Sequence, residues 1–242
     1  MFPVSQLKDI FFIDIETVSC VEEYGLMPPR LQKLWDKKAS IIKNEEELSQ
    51  SEFFFRKAGI FSEFGKVVAI AIGYITQEEG SGPFGLRVKG LADDDEAALL
   101  LAFKGLLEKS ARKNLLLCGH NGKEFDFPYL SRRMLVNGIP LPHILDVAGK
   151  KPWEVAFLDT MEMWKFGDRK NFTSLDLLAA IFDVESSKSA LDGSQVNEAY
   201  YRRKELAAIK KYCMEDVAVT ARVFLKMNCL PDIQPDKIVF VD

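Results

Sequence analysis

Several things are scarce in this chain, and each scarcity narrows what it can be. No apolar run in its 242 residues approaches the roughly 20 that a membrane span requires, and no N-terminal stretch joins a basic region to a long apolar one, so a soluble, cytoplasmic protein is expected with no membrane partner. Cysteine is sparse. Cys20, Cys118, Cys213 and Cys229 show no paired spacing for zinc, and the apolar settings of Cys118 and Cys213 suit reduced core thiols. A basic excess is also lacking, because the net charge is −4 where a dedicated nucleic-acid binder is often positive. Global charge therefore identifies no partner. Arg132-Arg133, Lys150-Lys151, Arg169-Lys170, Arg202-Arg203-Lys204 and Lys210-Lys211 offer local positive charge for phosphate contacts, though most such residues are simply solvated.

What the chain does have is a core's worth of apolar residues, 48% of the total, and three acidic signatures in a fixed order. The first, in Asp9-Ile-Phe-Phe-Ile-Asp14-Ile-Glu16-Thr17, is a short run apolar on both faces, which suits a central strand of a covered sheet. Residues two apart on a strand share a face, so Asp14 and Glu16 are expected to converge at its carboxyl end. An isolated Asp-x-Glu also occurs as an edge pair facing solvent or as a cap of the next segment, but two like charges on so apolar a run are costly unless a cation or other positive partner offsets their repulsion and desolvation.

The second signature, Leu115-Leu-Leu-Cys118-Gly-His120-Asn121-Gly122-Lys-Glu-Phe125-Asp126-Phe127-Pro128, predicts a buried strand, a glycine-rich turn and a helix. Asp126 reads equally well as the N-cap of that helix and as a ligand, while Asn121 would present an amide at the strand's end. The third, Tyr212 and Asp216, stands at i and i+4 in a run of strong helix formers without glycine or proline from Tyr200 to Met227. One helix is expected, with Ile209, Val219 and Val223 extending the Tyr212-Asp216 face as an apolar stripe. A phenol bonded to a carboxylate one turn away also occurs as a purely structural pair.

Taken together, Phe-Ile-Asp14-Ile-Glu16-Thr, His-Asn121-Gly-Lys-Glu-Phe-Asp126-Phe-Pro and Tyr212-Cys-Met-Glu-Asp216 resemble the three exonuclease motifs of the DEDD superfamily. The resemblance is greatest to predicted 3′-to-5′ exonucleases related to the proofreading domain of family B DNA polymerases. In the DEDDh branch a histidine stands five residues before the last aspartate; here that place is Lys211, and the only histidines are His120 and His143. Tyr212 is thus similar to the tyrosine of the DEDDy branch. The resemblance implies an α/β fold, an RNase H-like mixed sheet flanked by helices, with a helical insertion after the first strand.

It also implies two divalent cations, Mg²⁺ or Mn²⁺, which suit an oxygen-only ligand set better than zinc does. Asp14 would bridge both ions, Glu16 and Asp216 would complete the site of the ion that activates water, and Asp126 would hold the second. Tyr212 would orient the attacking water. Thr17, His120, Asn121, Phe125 and Lys188 are the expected substrate contacts. The implied partner is single-stranded nucleic acid, DNA ahead of RNA, with any polymerase or repair partner left open. An exoribonuclease and a non-catalytic binding module are the competing readings.

Strands are expected at Ile10 to Asp14, Val67 to Tyr74, Phe84 to Val88, Leu115 to Cys118 and Val155 to Leu158. Helices are expected at Asp95 to Lys109, from Pro128, and from a Ser174 cap through Phe182. A single domain, 1–242, is expected, with residues about 20 to 64 inserted. Within the insertion Leu31 to Trp35 and Glu45 to Lys57 have helical character, and Phe53, Phe54, Phe55, Phe61 and Phe64 supply apolar surface. Asp93-Asp-Asp-Glu96 suits a helix N-terminus rather than a metal. The segment Trp164 to Phe172 mixes aromatic and basic residues suited to stacking a base, with core packing the commoner role for Trp164 and Phe172.

Overall fold

The computed structural model describes residues 2–77, 82–110, 114–155, 157–168, 170, 172–186 and 191–241. Among these, the strands β1 (Ile10–Ser19), β2 (Gly65–Gln77), β3 (Phe84–Ala92), β4 (Leu116–Gly119), β5 (Phe157–Asp159) and β6 (Ile238–Val241) form one six-stranded sheet in the order β5-β4-β1-β2-β3-β6. The β1-β2 and β2-β3 pairs are antiparallel, and the β1-β4, β4-β5 and β3-β6 pairs are parallel. Around the sheet run α1 (Pro29–Ala39), α2 (Gln50–Lys57), α3 (Glu96–Lys109), α4 (Asp126–Val136), α5 (Thr160–Lys165), α6 (Leu175–Ile181), α7 (Val196–Tyr201) and α8 (Leu206–Met227). This is the mixed α/β sheet expected from the sequence. No helix of the described residues is long and apolar enough to cross a membrane.

The two-faced apolar pattern of β1 follows from what covers it. Ile10 and Phe12 enter the cluster built with Cys213, Val217 and Phe224 of α8, whereas Phe11, Ile13 and Ile15 enter the one built with Leu100 and Phe103 of α3 and Leu130 of α4. Asp14 and Glu16 continue the Ile10-Phe12 side and therefore face α8. That helix lies close because Gly73 of β2 has no side chain: a Cβ there would stand 2.6 Å from Val217 Cγ1.

β1 runs further than expected. It continues to Ser19 because β2 keeps pairing with it, Glu16 opposite Ala69 and Ser19 opposite Gly65, with a register shift between Glu16 and Thr17. The two carboxylates thus sit inside the strand rather than at its end. On the other edge, β4 pairs only from Ile10 to Phe12. Beyond Phe12 that edge of β1 is open to a different partner.

The predicted single helix from Tyr200 is two. The chain breaks between α7 and α8, where Lys204 has φ +57°, and the Glu205 N–H turns back to the Ala199 carbonyl at 2.9 Å. Long-range bonds at the end of α7 accompany the break: the Tyr201 hydroxyl donates to the Ser19 carbonyl at 2.6 Å, and the Tyr200 hydroxyl donates to Asp94 at 2.8 Å.

The insertion, residues 20–64, carries its own apolar cluster of Met27, Trp35, Phe53, Phe54, Ala58 and Phe64. Its second helix begins later than Glu45, at Gln50, where Ser49 and Glu52 form a reciprocal capping box. The insertion is tied back to the body. Asn197 of α7 accepts from the Ser19 N–H at 2.8 Å and donates to the Phe55 carbonyl at 2.8 Å.

Other positions depart from expectation. β6, only four residues long, escaped the sequence reading. Arg133, offered above to phosphate, is buried and bonded to Glu96 at 2.9 and 2.6 Å and to the Ser62 carbonyl at 2.9 Å. Asp95 caps α3, as its acidic run suggested. Trp164 meets Phe182 edge-on at 5.6 Å, but Phe172 is 66% exposed rather than in the core.

Candidate active site

One carboxylate oxygen each from Asp14, Glu16 and Asp216 lies within 4.8 Å of the others, at the contact between β1 and α8. Strand periodicity supplies the first two and a helix laid across that face supplies the third. Burial, then the neighbouring acids with Asp216 foremost, raises the Asp14 and Glu16 carboxyls well above the usual carboxylate range. The Asp14 Oδ2 is buried and has no hydrogen-bond partner among the described residues. An unpartnered buried oxygen in a group of three acids is an arrangement that a hard divalent cation would satisfy, and the donor set is all oxygen. The residues fit such a group.

Asp126 approaches from the open edge of β1. Its Oδ1 accepts the Ile15 N–H at 3.1 Å, the donor that β4 is too short to reach. It is the first residue of α4 and not its N-cap; that place is Phe125, which has no side-chain cap bond. Burial raises the Asp126 carboxyl to about 7, with Asp159 and Asp216 adding to the rise. Tyr212 is within hydrogen-bond reach of Asp216, and burial with Asp216 and Glu16 pushes its phenol far above the ordinary tyrosine value. The Cys213 thiol donates to the Asp14 carbonyl at 3.3 Å, so β1 and α8 are also joined through the Asp14 backbone.

The expected substrate contacts fare unevenly. The Thr17 hydroxyl donates to the Gly59 carbonyl of the insertion at 2.8 Å. His120 uses both ring nitrogens internally, Nδ1 on Thr160 Oγ1 at 2.9 Å and Nε2 on the Thr173 carbonyl at 3.0 Å, and burial lowers its pKa. A carbonyl only accepts, so Nε2 carries the proton and the ring holds two loops together. Phe125 lies against Tyr129 at 5.3 Å. Asn121, at φ +63°, lines a cleft of about 430 Å³ with Lys123, Asp159, Lys165 and Phe172. Lys188 lies outside the described residues.

One residue escaped sequence reading altogether. Asp159, 3% exposed at the end of β5, accepts the N–H groups of Asn121 and Lys123, both at 3.0 Å. It also accepts those of Met161 at 2.9 Å and Glu162 at 3.2 Å. One carboxylate thereby caps α5 and fixes the loop that leads to Asp126. The only local signal is an aspartate followed by a helix, which reads as an ordinary cap.

A family model described as a predicted 3′-5′ exonuclease related to the exonuclease domain of PolB matches residues 60–235. The match takes in Asp126, Tyr212 and Asp216 and begins after Asp14 and Glu16. Among solved structures, the family B DNA polymerase of the hyperthermophilic archaeon Pyrobaculum calidifontis is similar at 17% identity and a TM-score of 0.49, over 90% of this chain and 24% of the polymerase. The chain therefore spans about a quarter of that protein's length. No curated protein matches.

Proposed function

The chain belongs to the family of predicted 3′-5′ exonucleases related to the exonuclease domain of PolB, and from that premise we propose that it is a metal-dependent enzyme releasing nucleotides from the 3′ end of single-stranded DNA. The observation that carries this reading is the Asp14, Glu16 and Asp216 cluster with its unpartnered Asp14 oxygen. Asp14, Glu16 and Asp216 would hold divalent cations, Mg²⁺ or Mn²⁺, with Asp126 completing a DEDDy set at the second of two positions. When bound, such ions acidify the attacking water and neutralise the leaving oxygen of an in-line displacement.

The remaining roles belong to the chain. Tyr212 is a positioning donor and not a base, because its raised pKa keeps the phenol protonated at neutral pH. Asp126 can hold both an ion and the Ile15 N–H, since a carboxylate has two oxygens and Oδ1 serves the backbone. The raised carboxyls of Asp14, Glu16 and Asp126 hold protons that cation binding would displace, which limits the repulsion among these acids in the absence of a cation. Residues 1–242 act as one exonuclease domain in this reading, with the 20–64 insertion flanking the cleft through its Thr17 and Asn197 bonds and limiting which strands enter.

The test is digestion of 3′-labelled and 5′-labelled DNA and RNA strands with Mg²⁺ or Mn²⁺ beside an Asp14→Ala control. Stepwise shortening from the 3′ end, faster on DNA and lost in the control, is expected. Preference for RNA would move the assignment to an exoribonuclease, and tight binding without metal-dependent shortening would move it to a binding module.

A further inference from the structure

We infer that the cleft beside α5, walled by Phe172 and Lys165, is a subsite for one nucleobase and its phosphate in a single strand whose 3′ end lies at Asp14, Glu16 and Asp216. This rests on the exonuclease reading above and adds a binding position to it.

Location is the first support. Asn121 and Asp159 line the cleft, and Asp159 holds the loop that leads to Asp126 through the Asn121 and Lys123 N–H groups, so the cleft borders the Asp126 side of the acidic residues. Its volume, about 430 Å³, is ample for one nucleotide unit and falls in the range of about 300–1,000 Å³ usual for small-ligand sites.

Chemistry is the second. Phe172 is 66% exposed and the neighbouring Phe166 92%, so two aromatic rings stand in water beside a polar cleft. The Phe166 backbone has φ +44°, a left-handed conformation that a non-glycine residue rarely adopts and that ends α5 next to Gly167 of the cleft lining. Lys165 Nζ stands over the Phe172 ring, 4.2 Å from its centroid, so the ring carries a positive charge on one face and a base would stack on the other. That pairing is what a base with its phosphate requires, and base-aromatic stacking tolerates any sequence.

Among the described lining acids, Glu162 is paired with Lys123, and the oxygens of Asp168 and Asp159 are turned to backbone donors, Asp168 to the Lys170 N–H at 3.0 Å. A larger cleft of about 940 Å³ between the insertion and α7 also sets a cation on an aromatic, Arg202 on Phe55, but that ring is only partly exposed and packs against Tyr201 at 6.5 Å, and the neighbouring Arg56 is paired with Glu46.

Binding of a labelled single-stranded oligonucleotide in Mg²⁺, measured by anisotropy on the Asp14→Ala background to prevent cleavage, tests the inference. One abasic position is moved along the strand. A drop of roughly five- to hundredfold is expected at one position near the 3′ end, the size of a single stacking contact. Phe172→Ala should impose the same drop on the intact strand and flatten the positional profile. Phe172→Trp should keep the affinity, with its indole fluorescence quenched by DNA. If Phe172→Ala binds like its parent with the profile unchanged, the subsite is wrong, even where the wild-type protein shortens strands normally. If wild-type protein fails to shorten any strand, the exonuclease reading falls, and the abasic profile still decides whether Phe172 stacks a base.

Discussion

At the scale of single residues, local geometry alone fixes the direction of four candidate side chains. Asp14 and Glu16 share a face because strand side chains alternate, and Tyr212 and Asp216 because helix positions four apart align. Direction was illegible in the sequence where it comes from a distant partner. The Thr17 hydroxyl could have faced substrate, but the Gly59 carbonyl takes it; His120 could have met a phosphate, but Thr160 and Thr173 occupy it. Asp159 needed the β4-β5 pairing to bring its carboxylate to Asn121 and Lys123. These roles predict unequal kinetic losses. Asp14→Ala should lower the rate of strand shortening by about a thousandfold or more, as removal of a central group does. Tyr212→Phe should cost roughly ten- to hundredfold, since a misplaced water slows the reaction while the ligands remain. Equal losses in the two variants, measured as kcat/KM on one labelled strand, would refute the positioning role.

At the scale of elements, β1 to β5 and most helices were readable from periodicity and caps, Ser174 and Asp95 among them. The split between α7 and α8 was not, because strong helix formers span it and the cause lies in bonds from Tyr200 and Tyr201 to Asp94 and Ser19. Lys204 accepts a left-handed backbone there. Lys204→Gly should therefore stabilise the protein by about 1 kcal/mol in urea unfolding, because glycine adopts that conformation without the Cβ cost. A loss of stability would show that the lysine side chain matters more than its backbone. Gly73→Ala tests the opposite constraint. Its Cβ would meet Val217 at 2.6 Å, so α8 must shift, destabilising the fold by roughly 1–3 kcal/mol. Because Tyr212 and Asp216 ride on the same helix, strand shortening should fall more than the stability change explains. Unchanged turnover at a temperature where the variant is fully folded would show that α8 absorbs the strain without moving its ligands.

At the scale of the whole molecule, the carboxyls of half-buried Asp14 and buried Glu16 and Asp126 keep protons in the folded state that the unfolded chain gives up. Their stabilising contribution is complete below the unfolded carboxylate values near pH 4 and is lost as pH rises through the folded values, about 7 for Asp126. Chelated protein should thus lose a few kcal/mol of unfolding free energy between about pH 5 and pH 8. Mg²⁺ or Mn²⁺ should restore much more of it at the alkaline end than at the acidic end, because cations compete with those protons. A flat urea midpoint across that interval, with or without cation, would contradict this account of the cluster. The Asn197 side chain carries a different implication. Its oxygen is committed to β1 three residues beyond Glu16 and its nitrogen to the Phe55 carbonyl, so a tug on the 20–64 segment is transmitted through one amide to the rod that bears two of the acids. A relative with a shorter or rebuilt insertion has to return a carbonyl to that spot, or else let its catalytic strand drift.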